Sequence, residues 1–280
     1  MPSSAEEKLH QVRLVRDAHK TTSDETAILF EHVTKQYKLY KNERSRFLGI
    51  FNTKSRSLVG VVNANDDLSF EVKKGEAVAL VGRNGAGKST ALKMITGVSH
   101  PTSGTITVNG RVSALLELNA GFDGQLTGRE NLALRSQVLG MTKAEFHEVE
   151  EQIVEFAELG IYIDQPMKMY SSGMKARLGF ALAATIEPDI LVVDEALSVG
   201  DRKFRAKCIE RMSDIMSNKD VTIMFVTHES KAAQEFCTRG IVLEQGKMMY
   251  DGDIEDAVDY YNNEIIQLPD NGKSAPNASA

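Results

Sequence analysis

The chain has 280 residues, 42% of them hydrophobic and 26% charged, which are the proportions of an ordinary globular protein. Its 33 Lys and Arg against 39 Asp and Glu leave a net charge of −6, which argues against a nucleic-acid binder, whose surface is normally basic. The longest charge-free stretch in an apolar setting, Leu178 to Ile186, is far shorter than the roughly 18–20 residues that cross a bilayer, and the first residues lack the apolar core of a signal peptide, so a cytoplasmic chain without its own membrane span is expected.

Residues 1–26 are polar, with Leu9, Val12 and Val15 at helical spacing, too little apolar surface for a core, and read as a flexible extension. From Ala27, AILFEHVTKQYKLY reads as a strand, and LSFEVKKGEAVALV (68–81) as two strands around a Lys-Gly turn. A basic insertion of about 41–60 separates them. Over residues 35–56, Lys35, Lys38, Lys41, Arg44, Arg46, Lys54 and Arg56 face the lone acid Glu43, with Tyr40, Phe47 and Phe51 interleaved. Such a run is either a solvated loop or a surface for the anionic inner leaflet.

Residues 82–97 read as a loop and helix, and 102–112 as a hairpin turning at Asn109-Gly110. From Thr127 to Gly160 the pattern turns helical: Thr142 is an N-cap with Glu145 three residues on, and Phe146, Val149, Ile153 and Phe156 recur at spacings of three and four. A helical subdomain of about 113–175 is therefore expected inside an α/β domain spanning 27–265. Residues 172–185 read as a helix, DILVVDE (189–195) and VTIMFV (221–226) as buried parallel strands, and the segment around 244–247 as a hairpin. The Pro-, Ser- and Asn-rich 266–280 is expected to be disordered. Cys208 and Cys237 lack metal-ligand spacing and read as buried free thiols.

GRNGAGKST, residues 82–90, contains G-x-x-x-x-G-K-S between a strand and a helix start, the context in which that spacing cradles phosphates. Its members are Gly82, Arg83, Asn84, Gly85, Ala86, Gly87, Lys88, Ser89 and Thr90. The glycines let backbone N–H groups from Asn84 to Ser89 turn toward phosphate oxygens, with the helix dipole behind them. Lys88 is placed for the β- and γ-phosphates and Ser89 for Mg²⁺, which makes ATP and Mg²⁺ the expected ligands. ILVVDE supplies the acidic strand end that hydrolysis needs: Asp194 to orient Mg²⁺ or its water, and Glu195 to polarise the attacking water as general base.

With these residues the sequence resembles the ATP-binding subunits of ABC transporters, P-loop NTPases with an antiparallel β subdomain and an inserted helical subdomain. YSSGMKARLGFA, residues 170–181, stands in the place of the family's LSGGQ signature. Ser171 matches its serine and Gly173 its second glycine; Ser172 replaces the first glycine and Tyr170 the leucine. The resemblance implies that two chains sandwich ATP head to tail, the signature of one forming a second anion site against the phosphate loop of the other. It also implies that Asp201 lies on the loop crossing the dimer interface, that His228 senses the γ-phosphate, and that Tyr37 stacks on adenine, a role Tyr40 or a residue of the insertion could also take. The family's glutamine loop has no Gln here: the matching position is Leu118, and its neighbour Glu117 is the nearest candidate metal ligand.

The runs ALLELNAGFDGQLTGREN, MYSSGMKARLGFA and DEALSVGD resemble the polysaccharide-exporting branch, serving teichoic acids and O-antigens. The resemblance implies a homodimeric ATPase, peripheral on the cytoplasmic face of the membrane, driving a polytopic subunit that exports a lipid-linked polysaccharide. Some members carry an added carbohydrate-binding domain, for which this chain is expected to be too short. The alternatives are a soluble ABC-type ATPase acting on ribosome or DNA, and the ATPase of an exporter of another substrate.

Overall fold

The computed structural model describes residues 23–40, 58–114, 121–185, 188–194, 201–218, 220–227 and 230–268. Residues 1–22 of the expected extension over 1–26, 269–280 of the expected tail over 266–280 and 41–57 of the basic insertion lie outside them. Among the described residues, nine strands form two sheets. The smaller is antiparallel, in the order β2 (Leu58–Lys73), β1 (Thr26–Tyr40), β4 (Ser103–Val108). The larger runs β5 (Val112–Ala114), β6 (Ile190–Asp194), β7 (Thr222–Thr227), β3 (Ala77–Gly82), β8 (Arg239–Glu244), β9 (Lys247–Asp253), parallel except for the β8–β9 hairpin.

β1 and β2 pair from Thr26 opposite Lys73 out to Tyr40 opposite Leu58, so the second strand starts ten residues earlier than its apolar pattern indicates. The inner half of this ribbon buries Ile28, Phe30, Leu68 and Val72, with Phe30 stacked on Phe70 at 4.4 Å. The outer half leaves Tyr37, Leu39, Val61 and Val62 exposed. Its hydrogen-bond ladder, not burial, makes it strand, which apolar patterning cannot signal.

The expected hairpin over 102–112 does not form. β4 pairs with β1, whereas β5 pairs in parallel with β6 in the other sheet. The Asn109-Gly110 turn is the crossing: Asn109 donates its N–H to the Ala27 carbonyl (2.8 Å), and the Arg111 N–H donates to Asp189 Oδ2 (2.6 Å). Long-range partners on the two sheets override the local turn signal.

Among the described residues there are seven α-helices, α1 (Lys88–Ile95), α2 (Gly128–Val138), α3 (Lys143–Ala157), α4 (Ser172–Thr185), α5 (Arg202–Met216), α6 (Ser230–Phe236) and α7 (Ile254–Tyr260), with short 3-10 turns at Gly160–Asp164 and Met167–Met169 and a π turn at Tyr261–Ile265. Capping boxes start α2 and α3. Thr142 accepts from the Glu145 N–H (3.2 Å) while Glu145 accepts from the Thr142 N–H (2.6 Å), and Thr127 and Glu130 repeat the arrangement. Alternate residues of β3 face different cores. Val78 and Leu80 pack toward the small sheet with α1, while Ala77, Ala79 and Val81 pack toward α4, α5 and α7.

α4 sits between that second core and a third in the helical lobe: Phe180 and Ala184 join the former, Leu178 and Leu182 the latter. Burial on both sides explains why the longest apolar run of the chain lies here. No helix among the described residues is long and apolar enough to cross a membrane. Both thiols are buried, and burial pushes that of Cys208 up to about 12.

At the start of α2, a Cβ on Gly128 would press into the Tyr170 hydroxyl and lie 2.9 Å from the Ile163 carbonyl oxygen. Gly128→Ala is expected to lower stability by about 1–3 kcal/mol, as overpacking does, and adding Tyr170→Phe, which deletes the obstructing oxygen, to recover part of it. Thermal melts of both proteins check this; an unchanged melting temperature in the single variant would contradict the packing.

Candidate functional site

The phosphate loop leaves β3, a strand of six buried residues, at the carboxyl edge of the parallel sheet. Gly85 (φ 86°) and Gly87 (φ 105°) both take the left-handed conformation that glycine adopts freely. Gly87 is also the N-cap of α1 and offers no side-chain cap, and its carbonyl accepts from the Thr90 and Ala91 N–H groups (3.1 and 3.0 Å). The Ala86 N–H differs from expectation: it donates to the Arg83 carbonyl (3.1 Å), closing a turn within the loop. Lys88 folds its ammonium over the same loop and donates to the Gly82 and Arg83 carbonyls, the latter at 3.1 Å. Its charge is thereby held at the loop. Arg83 reaches away, donating to the Leu268 carbonyl at 3.2 Å.

Both sheets clamp this loop. A Cβ on Gly82 would collide with the Leu243 carbonyl of β8, and one on Gly87 with the Ala64 carbonyl and with Asn65 Nδ2 (2.6 Å) of β2. Asn65 is wholly buried and donates to the Gly87 carbonyl (3.3 Å). The β8–β9 turn closes the other side: the Gly246 N–H donates to the Ala86 carbonyl (3.0 Å), and its carbonyl accepts from the Asp66 N–H (2.8 Å).

β6 ends at Asp194, whose register partner is Val226, while Thr227 lies opposite Val81. The Asp194 backbone is thus two strand spacings from β3, about 10 Å, at the same carboxyl edge as the phosphate loop. Glu195 and His228 follow directly on the ends of β6 and β7; they and Glu117 lie outside the described residues. Ser89 and Thr90 occupy the first turn of α1. Tyr37 stands on the exposed outer part of the β1–β2 ribbon with the Lys35 ammonium 5.5 Å from its ring centre.

Ser171 caps α4, its hydroxyl accepting from the Met174 N–H (3.2 Å). Ser171, Ser172 and Gly173 line a cleft of about 750 Å³ with Glu158, Arg177 and Asp201, and no residue of 82–90 lines it. The phosphate loop and the signature residues do not share this cleft. Tyr170 fits where leucine is usual because its ring is buried in the helical-lobe core while its hydroxyl donates to the Tyr162 carbonyl (2.5 Å); burial pushes the phenol up to about 12. Asp201 caps α5 by accepting from the Phe204 N–H (3.0 Å) and pairs with Arg177. The Phe204 bond, chiefly, holds its carboxyl below the usual range. Its contribution to stability is accordingly present above the ordinary carboxylate pKa and lost as pH falls through the lowered folded one.

Sequence reasoning does not reach Asn65, Asn131, Glu158 or Arg177. Asn131, fully buried, gathers the loop before α2, accepting from the Asp123 N–H (2.8 Å) and donating to the Asp123 and Thr127 carbonyls (both 2.9 Å). Arg177 lies inside the signature run, where its spacing six residues after Ser171 on one helix is the only local signal.

A glycine loop at the carboxyl edge of a parallel sheet, an acidic strand end beside it and an inserted helical lobe define a phosphate-loop ATPase. Residues 65–198 match the sequence profile of the family described as ABC transporter. The O-antigen export system ATP-binding protein RfbB of Klebsiella pneumoniae is 45% identical over 238 residues, covering 84% of this chain and 96% of that protein. The teichoic acids export ATP-binding protein TagH of Bacillus anthracis is 44% identical over 236 residues, covering 84% of this chain and 42% of the longer relative. In fold, an ATP-binding subunit of an ABC transporter superposes with a TM-score of 0.65 at 24% identity, over 85% of this chain and 94% of its own. The dimeric ATP-binding cassette MJ0796, bound to ADP and Pi, superposes at 0.62 and 21%, over 81% and 98%. The chain belongs to the ABC transporter family, in its ATP-hydrolysing class.

Because the left-handed Gly87 abuts backbone on β2, Gly87→Ala is expected to cut ATP turnover at least about tenfold in a protein that still folds. Phosphate release together with circular dichroism checks this, and wild-type turnover in the folded variant would contradict the clamp.

Proposed function

We propose that two copies of this chain bind and hydrolyse ATP between them and drive a polytopic membrane subunit that exports a lipid-linked polysaccharide of the O-antigen or teichoic-acid type. The observation that carries the reading is the left-handed glycine loop with Lys88 folded over it, in a chain 45% identical to an O-antigen export ATP-binding protein along nearly all of that protein's length. Relatives named for export at 44% identity favour it over a ribosome- or DNA-acting ATPase. The absence of phosphate-loop residues from the signature cleft supports head-to-tail pairing, in which a second copy brings the two together. The exposed Leu134 and Val138, one helical turn apart on α2, give the helical lobe an apolar strip for the membrane subunit at the cytoplasmic face.

In this reading the loop amides and Lys88 hold the β- and γ-phosphates, Ser171 and Gly173 of the second copy meet the γ-phosphate from the other side, and Tyr37 packs on adenine. Glu195 takes the proton of the attacking water, and His228 contacts the γ-phosphate. Ser89 and the aspartate at 194 are hard oxygen donors suited to Mg²⁺, which when bound would neutralise phosphate charge.

Lys88→Ala is expected to bring hydrolysis to background, and Glu195→Gln, which keeps the side-chain size and loses the base, to accumulate an ATP-bound dimer on size-exclusion chromatography. Full activity of the first or a strictly monomeric second would contradict the nucleotide or the dimer reading respectively. Membrane extraction of the tagged chain is expected to bring a polytopic subunit with it.

A further inference from the structure

Where the helical lobe meets the core, four charged side chains from three elements form one network. Glu158, at the end of α3, lies 3.0 Å from Lys207 Nζ and 3.6 Å from Arg177 Nη1. Arg177, from the middle of α4, also pairs with Asp201 at the start of α5 and lies over the Phe204 ring at 4.6 Å. Lys207 donates to the Phe156 carbonyl (3.2 Å) and lies 4.4 Å from that ring's centre. Beneath them Phe156, Phe180 and Phe204, one from each helix, form a triangle with centroids 5.8–6.4 Å apart. The Arg177 side chain is 18% exposed, and two carboxylates, themselves partly exposed, lie against its guanidinium.

Glu158 reaches this network at a conformational cost. As the C-cap of α3 it has φ 52° and ψ 42°, the left-handed region where glycine is the usual residue and a side chain is disfavoured. A helix end alone would favour glycine here. The carboxylate is what glycine lacks, and Lys207 foremost holds it below the usual range.

We propose that Glu158 is a positioning residue for ATP hydrolysis: through Arg177 and Lys207 it fixes the signature helix and the Asp201 turn to the helical lobe, so that a displacement of the lobe moves both groups presented to a second copy. The proposal rests on the head-to-tail reading above. Glu158 touches neither the phosphate loop nor β3 through any of these contacts, so its effect falls on the shared site and not on nucleotide capture by the loop.

The test compares Glu158→Gly and Glu158→Asp with wild type and with Lys88→Ala in ATP turnover and thermal melts. Glycine keeps the left-handed backbone without strain and removes the carboxylate; aspartate keeps a carboxylate in a residue that tolerates this conformation. Glu158→Gly is expected to melt no lower than wild type, to keep the KM for ATP within about twofold and to lose about tenfold in kcat, with Glu158→Asp recovering a substantial part of the loss. A kcat equal to wild type in Glu158→Gly overturns the proposal. So does a fall in kcat matched by a fall in melting temperature, or a rise in KM at unchanged kcat, because either assigns the residue a merely structural or binding role. Turnover by wild type that is lost in Lys88→Ala shows the nucleotide reading intact whatever the Glu158 variants do; a wild type without turnover overturns both.

Discussion

The phosphate loop has no room for a side chain at Gly82 and Gly87, where its backbone meets the backbone of the two sheets. Gly82 meets the Leu243 carbonyl, Gly87 meets Ala64 and Asn65, and the Gly246 N–H holds the Ala86 carbonyl. The loop is therefore shaped by backbone from both sheets, and the two sheets must stack at one spacing for it to exist. That spacing is set by the core between them, where Phe30, Leu68 and Val72 pack against Leu80, Leu92 and Met224. Hydrophobic burial and phosphate geometry are thus coupled: an error in the first reaches the second through contacts that cannot yield by rotating a side chain.

The second constraint is the seat of α4. This helix has apolar residues on two sides because it belongs to two cores, and its N-terminus carries Ser171 to Gly173 at the surface. Tyr170 anchors that end in the lobe through its ring and through the bond to Tyr162, and Gly128 leaves the space the hydroxyl needs. Arg177, two turns along, ties the same helix to Asp201 and Glu158. The signature surface is accordingly held from below by apolar packing and from the side by charge.

Features determined within a few residues were legible in the sequence. The Thr142–Glu145 capping box, the span of α4, the strands expected over 189–195 and 221–226 and found at Ile190–Asp194 and Thr222–Thr227, and the glycine loop all follow from local spacing. The Asn109-Gly110 turn does not reveal its role locally, because the same dipeptide serves a hairpin or a crossing, and Ala27 and Asp189, far off in sequence, decide which. Asn65 was invisible for a related reason: nothing near it in the chain marks it as the neighbour of Gly87, 22 residues away. Glu158 carries the opposite of the expected signal, a charged residue where a helix end favours glycine, and only the cations folded against it give that choice a reason.

The account stands most directly on the claim that each ATP site is shared by two chains. Mixing two separately inactive proteins tests it: Lys88→Ala disables the phosphate loop, and Ser171→Arg disables the signature surface. In a head-to-tail dimer of one of each, one site carries both lesions and the other neither, so the mixture is expected to regain on the order of a quarter of wild-type ATP turnover at statistical pairing. A mixture that stays as inactive as its two components, while forming the mixed dimer, would contradict the shared site.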